Sequence, residues 1–431
     1  MKSICLCIII LGLLVLTASA QEEYSFDISE VKKRPFQFGG YFEFRPVFSG
    51  LDENASFYTL RFYNQDEGKS ITEYNFLALL DTSYEKGIFG AKIRLNTDVK
   101  SSFSGWSHST TVYEAFLSLK PSVFFHIDIG KKRMKWGKGY AWNPVAFIDR
   151  HKDPNDPELA LEGFTLISVD YIRSFKGPLK TITVTPFLLP VVNRINSGFG
   201  ELNYLNFGGK IYFLFHDTDI DFMFLAGGSV PARFGIDFSR NIISNFEIHG
   251  EFSFIPNFRK RWLDREGTLR EKEYSSKSFL AGIRFLTQTN TTFFLEYYKN
   301  GEGYTSKEME DFYVIIENAC NSFLLTGNDN LLKLAAGPSG EKYRKFTPMR
   351  DYMFLRISQK EPFNILYFIP SLTSIFNLND KSFSMALELF YNPVTNLELR
   401  VKGTTIFGSR GSEFGEKQND FRLEFRCRYY F

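Results

Sequence analysis

The densest concentration of chemistry-bearing side chains follows the segment VFFHIDIG, where Lys131, Lys132, Arg133, Lys135 and Lys138 crowd into eight positions. Cations held on the wall or mouth of a low-dielectric passage concentrate anions, because little solvent screens their field. An acidic run follows at Asp149, Asp153, Asp156 and Glu158, so the same cations can instead pair within their own segment. Further cations recur at spacings of two: Arg400 with Lys402, and Arg426 with Arg428, while Arg94 stands two positions after Lys92. Residues two apart share one face of a strand, so each pair looks into a single medium. Glu398 and Glu424 lie close by, and across the whole chain acids nearly balance bases at a net +2. Two readings follow: a ladder of paired charges that stiffens a wall, or a local path for anions.

Covalent chemistry has thinner support. His126 stands two residues before Asp128, and His249 lies between Glu247 and Glu251, combinations suited to acid–base work or metal binding. No Gly-x-Ser-x-Gly, His-Glu-x-x-His or phosphate-binding loop occurs. We expect solvated histidines, no enzymatic activity and no cofactor or metal. Beyond the leader described below, Cys320 and Cys427 alone remain, which excludes a disulfide framework or a cysteine zinc site. The near-neutral balance gives no reason to expect a nucleic-acid partner.

The elements that must position these residues announce themselves by period. In the final segment, DFRLEFRCRYYF, Phe421, Leu423, Phe425, Cys427, Tyr429 and Phe431 share one parity, and Arg422, Glu424, Arg426 and Arg428 the other. The same alternation recurs at 36–45, 89–96, 245–254 and 397–402. Segments of about ten residues that alternate in this way, separated by turns, mark a transmembrane β-barrel with one face toward lipid and one toward a wet lumen. Aromatic residues make up 17% of the chain, with 48 Phe and 22 Tyr, well above soluble usage. At the N-terminus, Lys2, an apolar run from Ile4 to Leu16 and the small residues Ala18-Ser19-Ala20 form an expected signal peptide, 1–20, cleaved near Ala20. Residues 21–35 are expected to be a short periplasmic segment, too short for a folded plug, and 36–431 a single barrel domain.

Connection lengths test this reading. Short turns are expected at 85–87, 121–122, 176–178, 216–219, 241–244, 288–291, 359–364 and 392–396. Between them lie longer polar connections at 99–110, 136–163, 190–202, 256–276, 300–350 and 408–420. Outer-membrane barrels alternate short periplasmic turns with long external loops. A plain count of β-like runs gives about nineteen, an odd number that conflicts with two periplasmic termini; assigning 49–72 to the first external loop, with 55–64 inside it, restores the phase. The expected fold is therefore all-β, an antiparallel up-and-down transmembrane barrel of about eighteen strands, with sixteen to twenty allowed.

A strand leading into WGKGYAWNP at 136–144, then an Asp-Pro-rich loop and a fresh strand, resembles the alginate-export family of porin-like barrels. That resemblance implies eighteen strands and passage of an anionic polysaccharide through an arginine-lined pore. The chain's ending is also similar to the C-terminal targeting signal of Gram-negative outer-membrane proteins, which implies recognition by the barrel-assembly machinery. Loop 300–350 carries its own signal: Thr305 and Glu308 have capping-box spacing, and Met309, Phe312, Tyr313, Ile316, Ala319, Cys320 and Phe323 form an apolar stripe ending at Gly327. Such a helix either enters the pore as a constriction or lid, or caps the rim. The expected function is an outer-membrane channel for small polar or anionic solutes, including carbohydrate, embedded in outer-membrane lipid. The alternatives are a non-conducting structural or adhesive barrel and, behind it, a barrel hydrolase.

Overall fold

In the computed structural model, residues 35–65, 68–103, 105–159 and 161–431 are described. The expected leader and all but the last residue of segment 21–35 lie outside them. Eighteen strands form in chain order: β1 (Phe36–Leu51), β2 (Ser70–Lys86), β3 (Phe89–Ser102), β4 (Gly105–Leu119), β5 (Phe125–Lys132), β6 (Phe164–Ser174), β7 (Leu179–Val191), β8 (Tyr204–Phe215) and β9 (Thr218–Ala226). They continue as β10 (Arg233–Ile243), β11 (Phe246–Leu263), β12 (Leu269–Leu286), β13 (Thr291–Lys299), β14 (Asp351–Gln359), β15 (Phe368–Asn377), β16 (Phe383–Val394), β17 (Leu397–Phe407) and β18 (Asn419–Tyr430). Each strand pairs with the next, and β1 pairs antiparallel with β18, so the sheet closes with no free edge. Closure satisfies every ladder within the sheet, which a spanning structure requires where no water can substitute.

The parity of the last strand is realised. Phe421, Leu423, Phe425 and Tyr429 are exposed on the outside, whereas Glu424 and Arg426 are buried inside. The same division holds around the wall: Phe42, Phe89, Leu117, Ile129, Phe207, Phe222 and Leu387 all face outward and exposed. An aqueous solvent would penalise so continuous an apolar exterior; hydrocarbon does not. Phe431 completes the seam. Its amide donates to Gly40 O and its carbonyl accepts from Gly40 N, while its ring lies 5.7 Å from Phe38 and 5.1 Å from Phe42.

The eight short turns fall where the alternation places them. The segment 55–64 is not a strand but contains helix α1 (Ser56–Phe62), inside the first long loop. Two expected long connections are corrected. β3 and β4 pair as far as Ser102 opposite Gly105, and β11 and β12 as far as Leu263 opposite Leu269, so most of 99–110 and 256–276 belongs to paired strands. Their polarity has a simple cause: a ladder can run on past the apolar belt while its side chains are wetted, and hydropathy cannot separate a projecting strand from a loop.

Loop 300–350 forms α2 (Ser306–Thr326) and α3 (Asn330–Ala336). Both halves of the Thr305/Glu308 capping box are present, and Gly327 ends α2 in the left-handed conformation at φ 71°, a geometry that costs glycine least. Met309, Phe312, Tyr313, Ile316 and Ala319 of the expected stripe are buried, and Ile315 joins them.

Candidate functional site: a loop laid across the lumen

Loop 133–163, between β5 and β6, turns into the barrel. Its first bend is organised by Asp149, whose carboxylate accepts from the amides of Met134 (3.2 Å), Lys135 (3.1 Å) and Trp136 (2.8 Å). Wall carboxylates then take over. Glu251 on β11 accepts from the amides of Lys138 and Gly139, at 2.6 Å each, and from Asn143 Nδ2 at 2.9 Å. Glu296 on β13 accepts from the amides of Tyr140 and Ala141, and His249 Nε2 lies 2.9 Å from its Oε1. Gly137 sits at φ 93°, and a Cβ there would stand 2.8 Å from Glu251 Oε1, so both its conformation and its bareness let the carboxylate approach.

The rest of the loop is tied at both flanks. Trp136, Val145, Phe147 and Ile148 pack on inward-facing Leu166, Phe187, Leu189, Met223 and Leu225. On the other side the Trp142 ring stacks 5.2 Å from Tyr298, and Tyr140 stacks 4.6 Å from Phe294. Lys152 Nζ donates to Gly139 O (2.7 Å) and Tyr140 O (3.1 Å), bracing the bend from behind. The far end reaches the opposite wall, where Arg426 donates to Asp156 at 2.8 Å and Lys402 to Asn155 O. Arg426 and its partner cations hold the Asp156 carboxyl below its usual range against the opposing effect of burial.

The second long loop rests on the first. Tyr343 is stacked between Tyr304 (4.0 Å) and Phe312 (3.9 Å), and its hydroxyl accepts from the Leu263 amide. Trp142 Nε1 donates to Thr347 Oγ1 at 3.2 Å. One apolar cluster thus joins α1, α2, α3 and loop 133–163 to inward-facing Tyr352, Phe354 and Ile375. Loop 300–350 thus rests on wall residues Tyr352, Phe354 and Ile375 through this cluster.

Among the described residues, a smaller and a larger cavity open at this long-loop end. The smaller, about 670 Å³, lies against β15 to β18 and is bordered by Phe57, Phe346, Phe414, Lys402, Lys417 and Arg422. The larger, about 1790 Å³, is bordered by Lys135, Lys152, Arg233, Lys342, Tyr298 and Phe346.

Most of the sequence-derived cations carry partners. Arg94 pairs with Asp81 and lies 3.7 Å from Glu114; Lys132 pairs with Asp128; Lys138 reaches Asp221 at 2.9 Å. Arg133 lies 3.8 Å from Asp149. Arg400 bridges Glu388 and Glu398, and Arg428 bridges Glu43 and Glu398 beneath the Tyr41 ring. Arg426 contacts Glu424 as well as Asp156. Lys131 pairs with Glu162 and is registered opposite Thr165, on the outward parity of Ile127 and Ile129, so it does not line the lumen. Lys135 differs: its side chain is exposed at the larger cavity. Among the described residues no carboxylate comes within 4.0 Å of the charged nitrogens of Lys135, Lys152, Arg233 or Lys342. The last three escaped the sequence reading, since nothing in spacing shows which loop cations fold away from acids. The grip of Glu251 and Glu296 on loop amides likewise leaves no local signature in the sequence. His249 is buried and faces Glu296 rather than open solvent.

No family model matches the chain, and no curated protein matches it. Solved structures do. OccK2 (OpdF) of Pseudomonas aeruginosa in complex with glucuronate aligns over 92% of this chain and 98% of its own, at 9% identity and a TM-score of 0.52. OpdK of the same organism with vanillate aligns over 91% and 98%, at 11% identity and 0.51. OccK11 (OpdR) aligns over 91% and 96%, at 11% and 0.51. The expected kinship with alginate-export barrels finds no support in these three. The chain is a closed, eighteen-strand antiparallel transmembrane barrel, similar in fold to these Pseudomonas aeruginosa proteins.

Proposed function

We propose that this protein is a channel of the bacterial outer membrane that admits small organic anions through the long-loop end. The observation that carries the reading is the set of cations without acidic partners, Lys135, Lys152, Arg233 and Lys342, around the larger cavity. The lining as a whole carries nine Lys and Arg against six Asp and Glu, so its net field favours anions at the entrance. The likeness to barrels bound to glucuronate and vanillate supports the same class of solute, since both ligands carry a carboxylate. The aromatic residues of the cavity rim would favour an anion with an apolar body. Leader removal near Ala20 and delivery to the assembly machinery through the strand ending at Phe431 belong to this proposal.

The competing reading is a non-conducting barrel, favoured by the packing of both long loops inside the mouth. Planar-bilayer recording decides between them. A stable conducting step whose reversal potential in a salt gradient lies on the anion side supports the channel; silent insertion supports the scaffold, and cation preference removes the anion reading.

A further inference from the structure

His126 and Asp128 share the inward face of β5 at a spacing of two, and Asp170 on β6 is registered directly opposite His126. Cross-strand neighbours bring Cβ atoms to about 5 Å, close enough for three side chains to converge. They do: one donor atom from each of His126, Asp128 and Asp170 lies within 4.8 Å of the others. His126 Nε2 stands 2.9 Å from Asp128 Oδ1, and His126 Nδ1 3.9 Å from Asp170 Oδ2.

Two features distinguish this group from a chance meeting of polar residues. First, His126 Nε2 is shielded from solvent and has no hydrogen-bond partner, even though a carboxylate oxygen is 2.9 Å away. This edge of the ring therefore faces a carboxylate inside the wall rather than solvent. Second, each carboxylate is oriented from behind. Asp128 is held by the Lys132 ammonium and accepts from Ser118 Oγ at 2.5 Å, while Asp170 Oδ1 accepts from Thr185 Oγ1 at 2.5 Å. Outer partners of this sort fix the direction of metal ligands. Lys132 cancels one of the two carboxylate charges, so a neutral imidazole and these groups leave a net single negative charge for a divalent ion.

We propose that His126, Asp128 and Asp170 form a divalent transition-metal site of the zinc class on the lumen wall near the short-turn end, with solvent completing the coordination. One imidazole and two carboxylates suit zinc, which takes three protein ligands and an open position at distances of about 2.0–2.2 Å. The consequence for conduction rests on the channel reading above: a bound dication would make this part of the wall more attractive to anions.

The test is metal content. Detergent-solubilised full-length barrel is dialysed against a micromolar zinc salt, and zinc per chain is counted by elemental mass spectrometry. About one equivalent is expected, falling to background in His126→Ala and Asp170→Asn, with His216→Ala retaining it. Should either substituted barrel fail to assemble, cobalt(II) added to the unaltered protein reports through its visible ligand-field absorption, which zinc should abolish. No zinc bound by the unaltered barrel, or equal uptake by His126→Ala, overturns the site. The count needs no open pore, so a silent barrel that still binds one zinc removes the channel and leaves the site standing.

Discussion

Glu251 Oε1 lies 2.6 Å from the amide nitrogen of Gly139, a contact between a barrel strand and a loop 112 residues earlier in the chain. With the Lys138 amide on the same oxygen, it fixes how far loop 133–163 penetrates the lumen. Charged hydrogen bonds of this kind contribute about 1.5–3 kcal/mol each. Glu251→Gln preserves size and one acceptor oxygen but removes the charge, and its NH2 replaces the Oε2 that accepts from the Val145 amide at 3.4 Å. The expected outcome is an intact barrel with a loosened loop. Circular dichroism should stay β-type, while single-channel traces become noisier and of larger average conductance than those of the unaltered protein. Unchanged traces would show that the contact does not set the aperture.

The barrel itself was largely legible, and the site was not. Period-two alternation is a local property, and the inward or outward assignment of Leu423, Glu424, Phe425 and Arg426 follows from it directly. Phase arguments even recovered that 55–64 is not a strand. What alternation cannot show is the fate of residues beyond the apolar belt, which is why 99–110 and 256–276 read as loops. Nor can it show that a polar loop turns inward. The grip of Glu251 and Glu296 on 138–141 joins positions distant in sequence, so no local pattern announces it. The same reason hid the pairing of Lys138 with Asp221 and of Arg426 with Asp156: each partner lies on another element.

Tyr343 is fully buried between two aromatic rings, and its loss should act on loop 300–350 rather than the barrel. Truncating a large buried aromatic costs about 3–5 kcal/mol. Tyr343→Ala is expected to leave heat-resistant barrel mobility on gels unchanged while making loop 300–350 open to limited proteolysis. Tyr343→Phe should retain most of the protection, losing only the bond from the Leu263 amide. Equal protease resistance in Tyr343→Ala would show that α2 is held by other contacts.

Neutralising the unpaired cations should change selectivity more than conductance. Lys135→Gln combined with Arg233→Gln removes charge at the larger cavity without breaking an ion pair. The reversal potential in a salt gradient should move toward the cation side, whereas Arg400→Gln, which breaks paired charges, should chiefly destabilise the wall. Burial also pushes the ammonium groups of Lys152 and Lys342 below the usual lysine range. They shed their protons earlier than exposed lysines as pH rises, so anion preference should decline on the alkaline side before ordinary lysines titrate near 10.4.

Glu413, in the loop between β17 and β18, links that loop to the same mouth. Its carboxylate accepts from Tyr352 Oη at 2.5 Å and Asn377 Nδ2 at 2.8 Å. Burial, with Asp380 adding repulsion, pushes its pKa up from 4.5 to about 7, although Lys417 and the two donors pull the other way. The native loop therefore binds a proton more tightly than the released one. Stability is fullest below the unfolded value and falls as pH rises from about 4.5 through 7, since the native state must then ionise a buried acid. The loss amounts to about 3 kcal/mol on a shift of this size. Proteolysis within 408–418 should accordingly be faster at pH 8 than at pH 5.5. Glu413→Gln, which keeps an acceptor and cannot ionise, should flatten that dependence. A pH profile identical in the two proteins would show that Glu413 does not control the loop.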